Sequence, residues 1–271
     1  MDEDFALPKG ELMRGRRGLV MGVANRNSIA WGIASQIAAQ GGEVGLAYME
    51  LNEKRVRPLG ESIGATLYTT FDASSDASME AAFKVAEDQW GSLDFLVHAI
   101  AYAGRDQIKG SFVENATREG FAQALDISAY SFVDASRRAS RLMKRGGSIV
   151  TLTYLGSERA IPNYNTMGVA KAALEASMRY VARDLGPAGI RVNAISAGAM
   201  RTLSLAGISG GRGMLAEGRR LSALKEDTSM EGVAGCALWL LSDLGRSTTG
   251  EVVHVDAGFH MMGLASEEEE S

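Results

Sequence analysis

The stretch RGLVMGVANRNSIAWGIASQ, residues 17–36, decides the fold of this chain. Its apolar start, 17–23, is typical of a buried strand, and its alanine-rich continuation predicts a helix over 28–40. A strand, a glycine-containing turn and a helix in this order form the unit that binds a dinucleotide pyrophosphate in doubly wound sheets. The spacing from Gly22 to Ser28 is longer than in the strict G-x-G-x-x-G pattern, so the position of the turn carries this interpretation more than its glycines.

Outward from this unit, strand and helix patterns alternate along the chain. Further strands are predicted at 43–48, 67–71, 93–99, 148–153, 190–196 and 251–255. Further helices are predicted at 51–63, 76–90, 117–144 and 163–185. One more helix is predicted to begin at Thr228, because Glu231 three positions on completes a capping box. The alternation predicts an α/β fold, a single Rossmann-type doubly wound domain over 1–271 with about seven parallel strands and helices on both faces.

Composition narrows the class of protein. The chain has 271 residues, 46% of them apolar and 23% charged, as expected for a soluble globular enzyme. Four of its five net negative charges lie in the acidic tail, 265–271, which we expect to be solvated and disordered. The nearly neutral remainder argues against nucleic-acid binding. The sequence shows no signal pattern and no apolar run long enough for a bilayer, so a cytoplasmic protein without membrane contact is expected, and no metal site is predicted.

One segment, 201–220, departs from the pattern because it is rich in glycine. Those glycines weaken any helix in the segment. Since it lies between a strand and a helix, we interpret it as a mobile lid over a substrate site, with a simple surface insertion as the alternative.

Residues at the ends of the second, third and fourth predicted strands indicate which nucleotide the chain binds. The second strand ends at Tyr48, Met49 and Glu50, without a basic residue for a 2′-phosphate, so NADH is favoured over NADPH. Asp72, after the third strand, is a candidate partner for the adenine amino group, with a turn aspartate as the alternative. His98 ends the fourth strand, beneath the expected cofactor, and is interpreted as structural.

The segment TLTYLGSERAIPNYNTMGVAK, 151–171, carries the chemistry. Tyr164 and Lys171 are seven residues apart, about two helical turns, so they share a helix face. A phenol there can hydrogen-bond a developing oxyanion, and a lysine cation can support that charge and hold ribose hydroxyls. No tyrosine of the chain has a lysine four positions later, so the Tyr-x-x-x-Lys arrangement of carbonyl reductases is absent. Tyr154 is a second tyrosine of the same segment.

From 17 to 259 the chain resembles the enoyl-acyl-carrier-protein reductases of bacterial fatty-acid synthesis, a divergent branch of the short-chain dehydrogenase/reductase family. The stretches that carry the likeness are GVANRNSIAWGIA, TREGFAQALDISAYSFV, TYLGSERAIPNYNTMGVAKAALEA, GIRVNAISAGAMRTLSLAGI and GEVVHVDAGF. The Tyr-x6-Lys spacing beside NYN is highly specific to that branch. The resemblance implies reduction of the C2=C3 double bond of trans-2-enoyl thioesters by NADH, with acyl carrier protein as partner and a homo-oligomer, expected to be a tetramer, as the assembly.

The resemblance also implies site residues. Tyr164 would stabilise the enolate, Lys171 would bind the nicotinamide ribose and Tyr154 would help to position the acyl group, as the catalytic set. The cofactor would contact Gly22, Ser28, Ile29, Met49, Asp72, Ala73, Ala99, Ile100, Ala101, Lys171, Ile195 and Thr202. The acyl chain would lie along Ala101, Tyr102, Tyr154, Tyr164, Met167, Met200, Leu203 and Ile208, several of which plain core packing would explain equally.

Three positions depart from the family pattern: Met49 replaces a frequent glutamine, Ala101 a glycine and Ala199 a proline. Two other functions stay open at this point. One is a 3-oxoacyl or alcohol-type carbonyl reductase of the same fold, and the other is a nucleotide-binding paralogue without catalysis.

Overall fold

The computed structural model describes residues 9–202, 205 and 211–263, with the side chain of Arg212 excepted. The predicted acidic tail and two predicted acyl-channel residues, Leu203 and Ile208, lie outside the described residues. One sheet runs through the described chain. Its strands are β1 (Arg17–Met21), β2 (Glu43–Tyr48), β3 (Leu67–Thr70), β4 (Phe95–His98), β5 (Gly147–Thr153), β6 (Ile190–Ala197) and β7 (Val252–Val255).

All neighbouring strands pair in parallel, in the order β3-β2-β1-β4-β5-β6-β7. This is the order of a doubly wound sheet, whose direction of winding changes between β1 and β4. The predicted seven-stranded α/β fold is therefore confirmed.

The helices cover both faces of this sheet. They are α1 (Ile29–Ala39), α2 (Glu53–Ser62), α3 (Asp76–Trp90), α4 (Phe112–Asn115), α5 (Arg118–Leu125), α6 (Ser131–Leu142), α7 (Asn165–Leu185), α8 (Gly211–Leu221) and α9 (Met230–Leu241). Side chains of one strand alternate between two apolar cores, so Val20 faces the core that α1 and α9 complete, whereas Leu19 and Met21 face the core of α3, α6 and α7.

The long helical stretch predicted over 117–144 is confirmed over 118–142, but one of its turns is not α-helical. The chain is helical there, but a π-helical turn, Asp126–Tyr130, separates α5 from α6. Apolar spacing does not distinguish this turn from ordinary α-helix, because it depends on a tertiary contact: Ser128 is fully buried and bonds to a distant loop. Such turns are frequent at functional sites.

Two local predictions also need correction. Thr228 does not cap α9; the cap is Ser229, whose Oγ accepts from the Gly232 amide at 3.0 Å. The hydroxyl of Thr228 instead packs closely against Gly198. The glycines that weaken a helix over 201–220 do not prevent one in its second half, where α8 contains three of them. That the segment acts as a lid stays a prediction.

Parallel strands place their carboxyl ends at one edge of the sheet. Met21, His98 and Thr151 lie side by side in register near that edge. The turn after β1, the loop after β4 and the segment after β5 therefore meet at the position where doubly wound proteins bind their ligands. Within the described ranges, no helix is both long and apolar enough to cross a bilayer.

Candidate active site

The turn after β1 has the backbone that a dinucleotide phosphate requires. Gly22 has φ of +98°, and a Cβ at this position would clash with the carbonyl oxygen of Ala99. Only glycine fits, because its missing side chain permits both the left-handed backbone and the close approach. The turn thus brings the ends of β1 and β4 together as a cradle.

The N-terminus of α1 fits an anion beside this cradle. The helix begins at Ile29, and its cap residue Ser28 makes no side-chain bond to the helix amides. The Ser28 hydroxyl donates to the carbonyl of Asn25 at 2.6 Å instead. No acidic side chain lies in the first turn. Free amides and an uncompensated positive helix end are suited to a pyrophosphate.

The end of β2 presents apolar rather than basic groups. Tyr48 is buried, whereas Met49 is half exposed and precedes a short 3₁₀ turn at Glu50. Lys54 and Arg55 follow on α2 and are exposed, whereas Arg57 bonds to Glu53 and lies over the Tyr68 ring. The strand end itself thus carries no basic residue for a 2′-phosphate.

Asp72 forms a turn, in agreement with the alternative interpretation of this residue as a turn aspartate. Its Oδ1 accepts from the amide and the hydroxyl of Ser74 at 2.9 and 2.7 Å. These bonds hold the pKa of the Asp72 carboxyl below its usual value. A contact of Asp72 or its neighbour Ala73 with adenine stays a prediction.

His98 is a buried, satisfied histidine at the end of β4. Its ring nitrogens lie 3.1 Å from the Thr151 hydroxyl and 2.9 Å from the Ser131 hydroxyl. Burial, aided by the charge of Lys171, lowers the pKa of His98 to about 3, so the ring is neutral. This geometry agrees with the structural role expected from the sequence.

The loop after β4 lies open beside the cradle. Ala99 and Ile100 are partly buried, whereas Ala101 and Tyr102 are exposed. Ser128 of the π-helical turn accepts from the Tyr102 amide at 2.9 Å and donates to the Tyr102 carbonyl at 3.1 Å. One buried hydroxyl thus fixes both polar groups of a predicted substrate-contacting residue.

The two tyrosines of the predicted catalytic set are in contact. Their ring centroids lie 4.9 Å apart in an edge-on arrangement. Tyr164 is buried, and this burial raises the pKa of its phenol far above the ordinary value. Burial also raises the pKa of Tyr154, with a smaller contribution from Asp256. Both phenols therefore keep their protons at neutral pH and are hydrogen-bond donors.

Tyr164 is held by the two asparagines on either side of it. Asn163 and Asn165 both have positive φ, +63° and +43°, which asparagine tolerates better than most residues. The Asn163 side chain accepts from the Gly110 amide at 2.9 Å, and that of Asn165 donates to the Gly110 carbonyl at 3.1 Å. The NYN motif therefore anchors the backbone around Tyr164 to the loop before α4.

Gly156, which precedes the NYN motif, makes room for the ring of Tyr164. A side chain on Gly156 would collide with the ring of Tyr164. The ring is thus enclosed by backbone on one side and by Tyr154 and Met167, which belong to the same small apolar cluster, on the other.

Lys171 is a buried cation at the carboxyl end of β5. Its Nζ donates to the carbonyl of Leu152 at 2.7 Å. Burial lowers the pKa of Lys171 to about 8, and the Glu175 carboxylate opposes this effect. Lys171 lies on α7, and Tyr164 is the N-cap residue that precedes this helix. That the two side chains share one helix face stays a prediction.

Three other predicted contacts lie in less open positions. Ile195 on β6 has no exposed surface, and Met200 packs within the core of α1 and α9, as the core-packing alternative expected. The Thr202 hydroxyl accepts from the Leu205 amide at 3.2 Å and is half buried.

Sequence reasoning missed several residues that shape this site. They are Ser128, Thr153, Asn163, Asn165, Gly156 and Glu175. Glu175 offered a signal, since it lies one helical turn beyond Lys171. The others depend on contacts with residues far away in the chain.

Comparisons with known proteins identify the family of the chain. Residues 22–260 match the family model described as enoyl-(acyl carrier protein) reductase. The chain is 49% identical to the NADH enoyl-acyl-carrier-protein reductase 1 of Rhizobium meliloti (strain 1021), over 93% of either protein. It is 47% identical to the crystallised reductase of Anaplasma phagocytophilum in complex with NAD, with a TM-score of 0.91 over 97% of this chain and 98% of that one.

A further similar structure was solved with the phosphorylated nucleotide. The enoyl-acyl-carrier-protein reductase of Bacillus cereus, crystallised with NADP⁺ and an indole naphthyridinone, is 45% identical. It has a TM-score of 0.91 and covers 94% of this chain and 100% of that one.

Proposed function

The chain belongs to the enoyl-acyl-carrier-protein reductase family, and from this premise we propose the reaction and the residues that perform it. The protein reduces the C2=C3 double bond of trans-2-enoyl thioesters carried on acyl carrier protein, the last step of the fatty-acid elongation cycle. NADH supplies the hydride. The observation that carries the assignment of roles is the contact of buried Tyr164 with partly buried Tyr154, together with the buried Lys171 on α7.

Tyr164 stabilises the charge that develops during reduction. Hydride addition at C3 moves an electron pair onto the thioester oxygen, and the Tyr164 hydroxyl donates a hydrogen bond to it. Because the pKa of Tyr164 is raised by burial, the phenol remains a donor instead of ionising. A preorganised donor of this kind contributes about 3–4 kcal/mol of transition-state stabilisation. Protonation at C2 then completes the saturated thioester.

Lys171 and Tyr154 hold the reactants. The Lys171 ammonium binds the nicotinamide ribose while bonded to the Leu152 carbonyl. Tyr154 packs against Tyr164 and positions the acyl group. The acyl chain passes along Ala101, Tyr102 and Met167. Met200, Leu203 and Ile208 remain part of this proposed channel, and the 201–220 segment its proposed lid.

The nucleotide binds across the cradle of Gly22 and the N-terminus of α1. The pyrophosphate approaches Ser28 and Ile29, and the adenosine lies towards Met49 and Asp72. Backbone from Ala99 to Ala101 borders the nicotinamide, together with Ile195 and Thr202. These contacts follow from the family pattern and from the cradle that only glycine can form at Gly22.

NADH is expected to be the better reductant. Tyr48, Met49 and Glu50 offer the NADPH 2′-phosphate no charged donor, and one charged hydrogen bond contributes about 1.5–3 kcal/mol. Steady-state assays with both nucleotides should therefore give a kcat/KM for NADH that is about tenfold higher or more. Equal values would contradict the proposed adenosine site.

The assembly belongs to the same proposal. We expect a homotetramer formed through the outer face of α7, where Val169 and Tyr180 are exposed and Ala172, Ala173 and Ala176 are partly exposed. That the enzyme works in the cytoplasm remains a prediction from the sequence.

The proposed role of Tyr164 is tested with Tyr164→Phe. We expect kcat with crotonyl thioester and NADH, followed by NADH absorbance, to fall about 100- to 1,000-fold, because one oxyanion donor is lost. The matched control is Tyr130→Phe, whose ring is exposed and has no proposed contact with substrate, cofactor or a neighbouring subunit, and which should keep wild-type rates. An unchanged rate in Tyr164→Phe would refute the oxyanion role, and a wild type that reduces 3-oxoacyl but not enoyl thioesters would refute the function.

A further inference from the structure

Glu175 is a buried carboxylate that the proposed mechanism does not use. It is only 6% exposed and lies on α7 one turn after Lys171, on the same helix face. A buried ionised group is costly unless charges or hydrogen bonds compensate it. Its surroundings therefore indicate what the carboxylate does.

The contacts of Glu175 and Lys171 form a matched pair. Glu175 Oε1 accepts from the Thr153 hydroxyl at 2.5 Å, and Lys171 Nζ donates to the Leu152 carbonyl at 2.7 Å. Leu152 and Thr153 are the last two residues of β5. Two polar bonds, one helical turn apart on α7, thus tie this helix to the strand end from which Tyr154 follows.

Among the groups around Lys171, Glu175 is the one that favours its charged form. Burial lowers the pKa of Lys171, and Glu175 is the group that raises it. His98, also close to Lys171, is neutral because its pKa is about 3. Tyr164 stays protonated. Among these buried neighbours, only Glu175 has a carboxyl group.

A solvent cavity lies on the other side of Glu175. It has a volume of about 440 Å³, and its titratable lining groups are Glu158, Glu175, Arg179, Glu251 and His254. The carboxyl group of Glu175 thus lies between this cavity and the Thr153 hydroxyl.

We propose that Glu175 is a positioning residue for the reduction: its carboxylate keeps Lys171 in the charged form that binds the nucleotide ribose, and it ties α7 to the end of β5. This inference rests on the proposed function for the role of Lys171, but the state of the Lys171–Glu175 pair is measurable without turnover.

The test follows NADH affinity by fluorescence from pH 6 to 9.5 in wild type and Glu175→Gln. In wild type, affinity should fall as pH rises through about 8, where Lys171 loses its proton. In Glu175→Gln the fall should begin about one pH unit lower, because the attracting charge is gone. At pH 6 the two proteins should bind alike, since Lys171 is charged in both. A general structural defect would weaken binding equally at every pH.

Two further variants separate the effect of the Glu175 charge from that of its hydrogen bond to Thr153. Thr153→Val keeps the carboxylate, so it should lower kcat at all pH values without moving the alkaline fall in affinity. Glu251→Gln removes an exposed acid of the same cavity and should behave as wild type. An alkaline fall in Glu175→Gln that coincides with that of wild type would overturn the inference.

If Glu175→Gln does not fold, as judged by circular dichroism, Glu175→Asp decides. It retains the charge and should keep the wild-type alkaline fall; a fall displaced by a full pH unit would overturn the inference. A failure of the proposed function is distinguishable, because it would leave these binding curves intact while no enoyl thioester is reduced.

Discussion

At the scale of single residues, the site depends on the backbone that surrounds one phenol. Tyr164 lies between two asparagines with positive φ, and both side chains reach the same glycine of another loop. Asparagine provides the left-handed backbone and the hydrogen bond together. Glycine provides only the first, and alanine provides neither.

This dual role predicts the order of stability of two variants. Asn163→Gly loses the bond to Gly110 but keeps a relaxed backbone, and should lower the free energy of unfolding by about 1 kcal/mol. Asn163→Ala also places a Cβ in a left-handed conformation, which costs about 1–2 kcal/mol more. Urea unfolding of both variants is the measurement. An alanine variant as stable as the glycine variant would contradict the backbone role.

At the scale of elements, the π-helical turn between α5 and α6 links the helix to the loop of the proposed substrate site. It directs Ser128 towards the Tyr102 peptide, so a change of helix geometry is converted into a fixed loop beside the proposed substrate channel. An ordinary α-helical turn would carry Ser128 to another angle.

Removing the Ser128 hydroxyl should therefore loosen this loop. Ser128→Ala is expected to lower stability by about 1–3 kcal/mol, because two backbone groups lose their partner. It should also raise the KM for the enoyl thioester more than it lowers kcat. The control is Ser140→Ala on α6, whose hydroxyl bonds only to a carbonyl of its own helix. Identical kinetics for the two variants would exclude a link between the turn and the substrate site.

At the scale of the whole molecule, one sheet edge collects the functional groups. The cradle after β1, the loop after β4 and the helix after β5 meet there, although 149 positions separate Gly22 from Lys171 in the numbering. The outer face of α7 lies away from this edge, so helix α7 can serve the site with one face and a neighbouring subunit with the other.

The proposed assembly predicts the effect of a charge on that outer face. Ala176→Arg should convert a tetramer into smaller species in light scattering coupled to size exclusion, because helices cannot pack closely around a buried, unpaired guanidinium. Ala77→Arg on α3, an exposed helical alanine elsewhere, should leave the mass unchanged. A wild type that elutes as a monomer would refute the assembly itself.

The order and number of the strands and most helix boundaries were predictable from the sequence, and the spacing of Tyr164 and Lys171 predicted their shared helix face. These features are local: strand and helix periods are written in neighbouring residues, and a spacing of seven fixes a common helix face. The likeness to a known family rested on the same contiguous stretches, such as the NYN block.

The contacts that those stretches make depend on the tertiary structure. That Asn163 binds Gly110, that Ser128 holds Tyr102 and that Glu175 meets Thr153 depends on strands and loops brought together from distant parts of the chain. The N-cap of α9 is Ser229 rather than the predicted Thr228, because Thr228 packs against Gly198. Burial and pKa arise from such assembled surroundings, so the protonated Tyr164 and the charge balance of Lys171 could not be read from spacing alone.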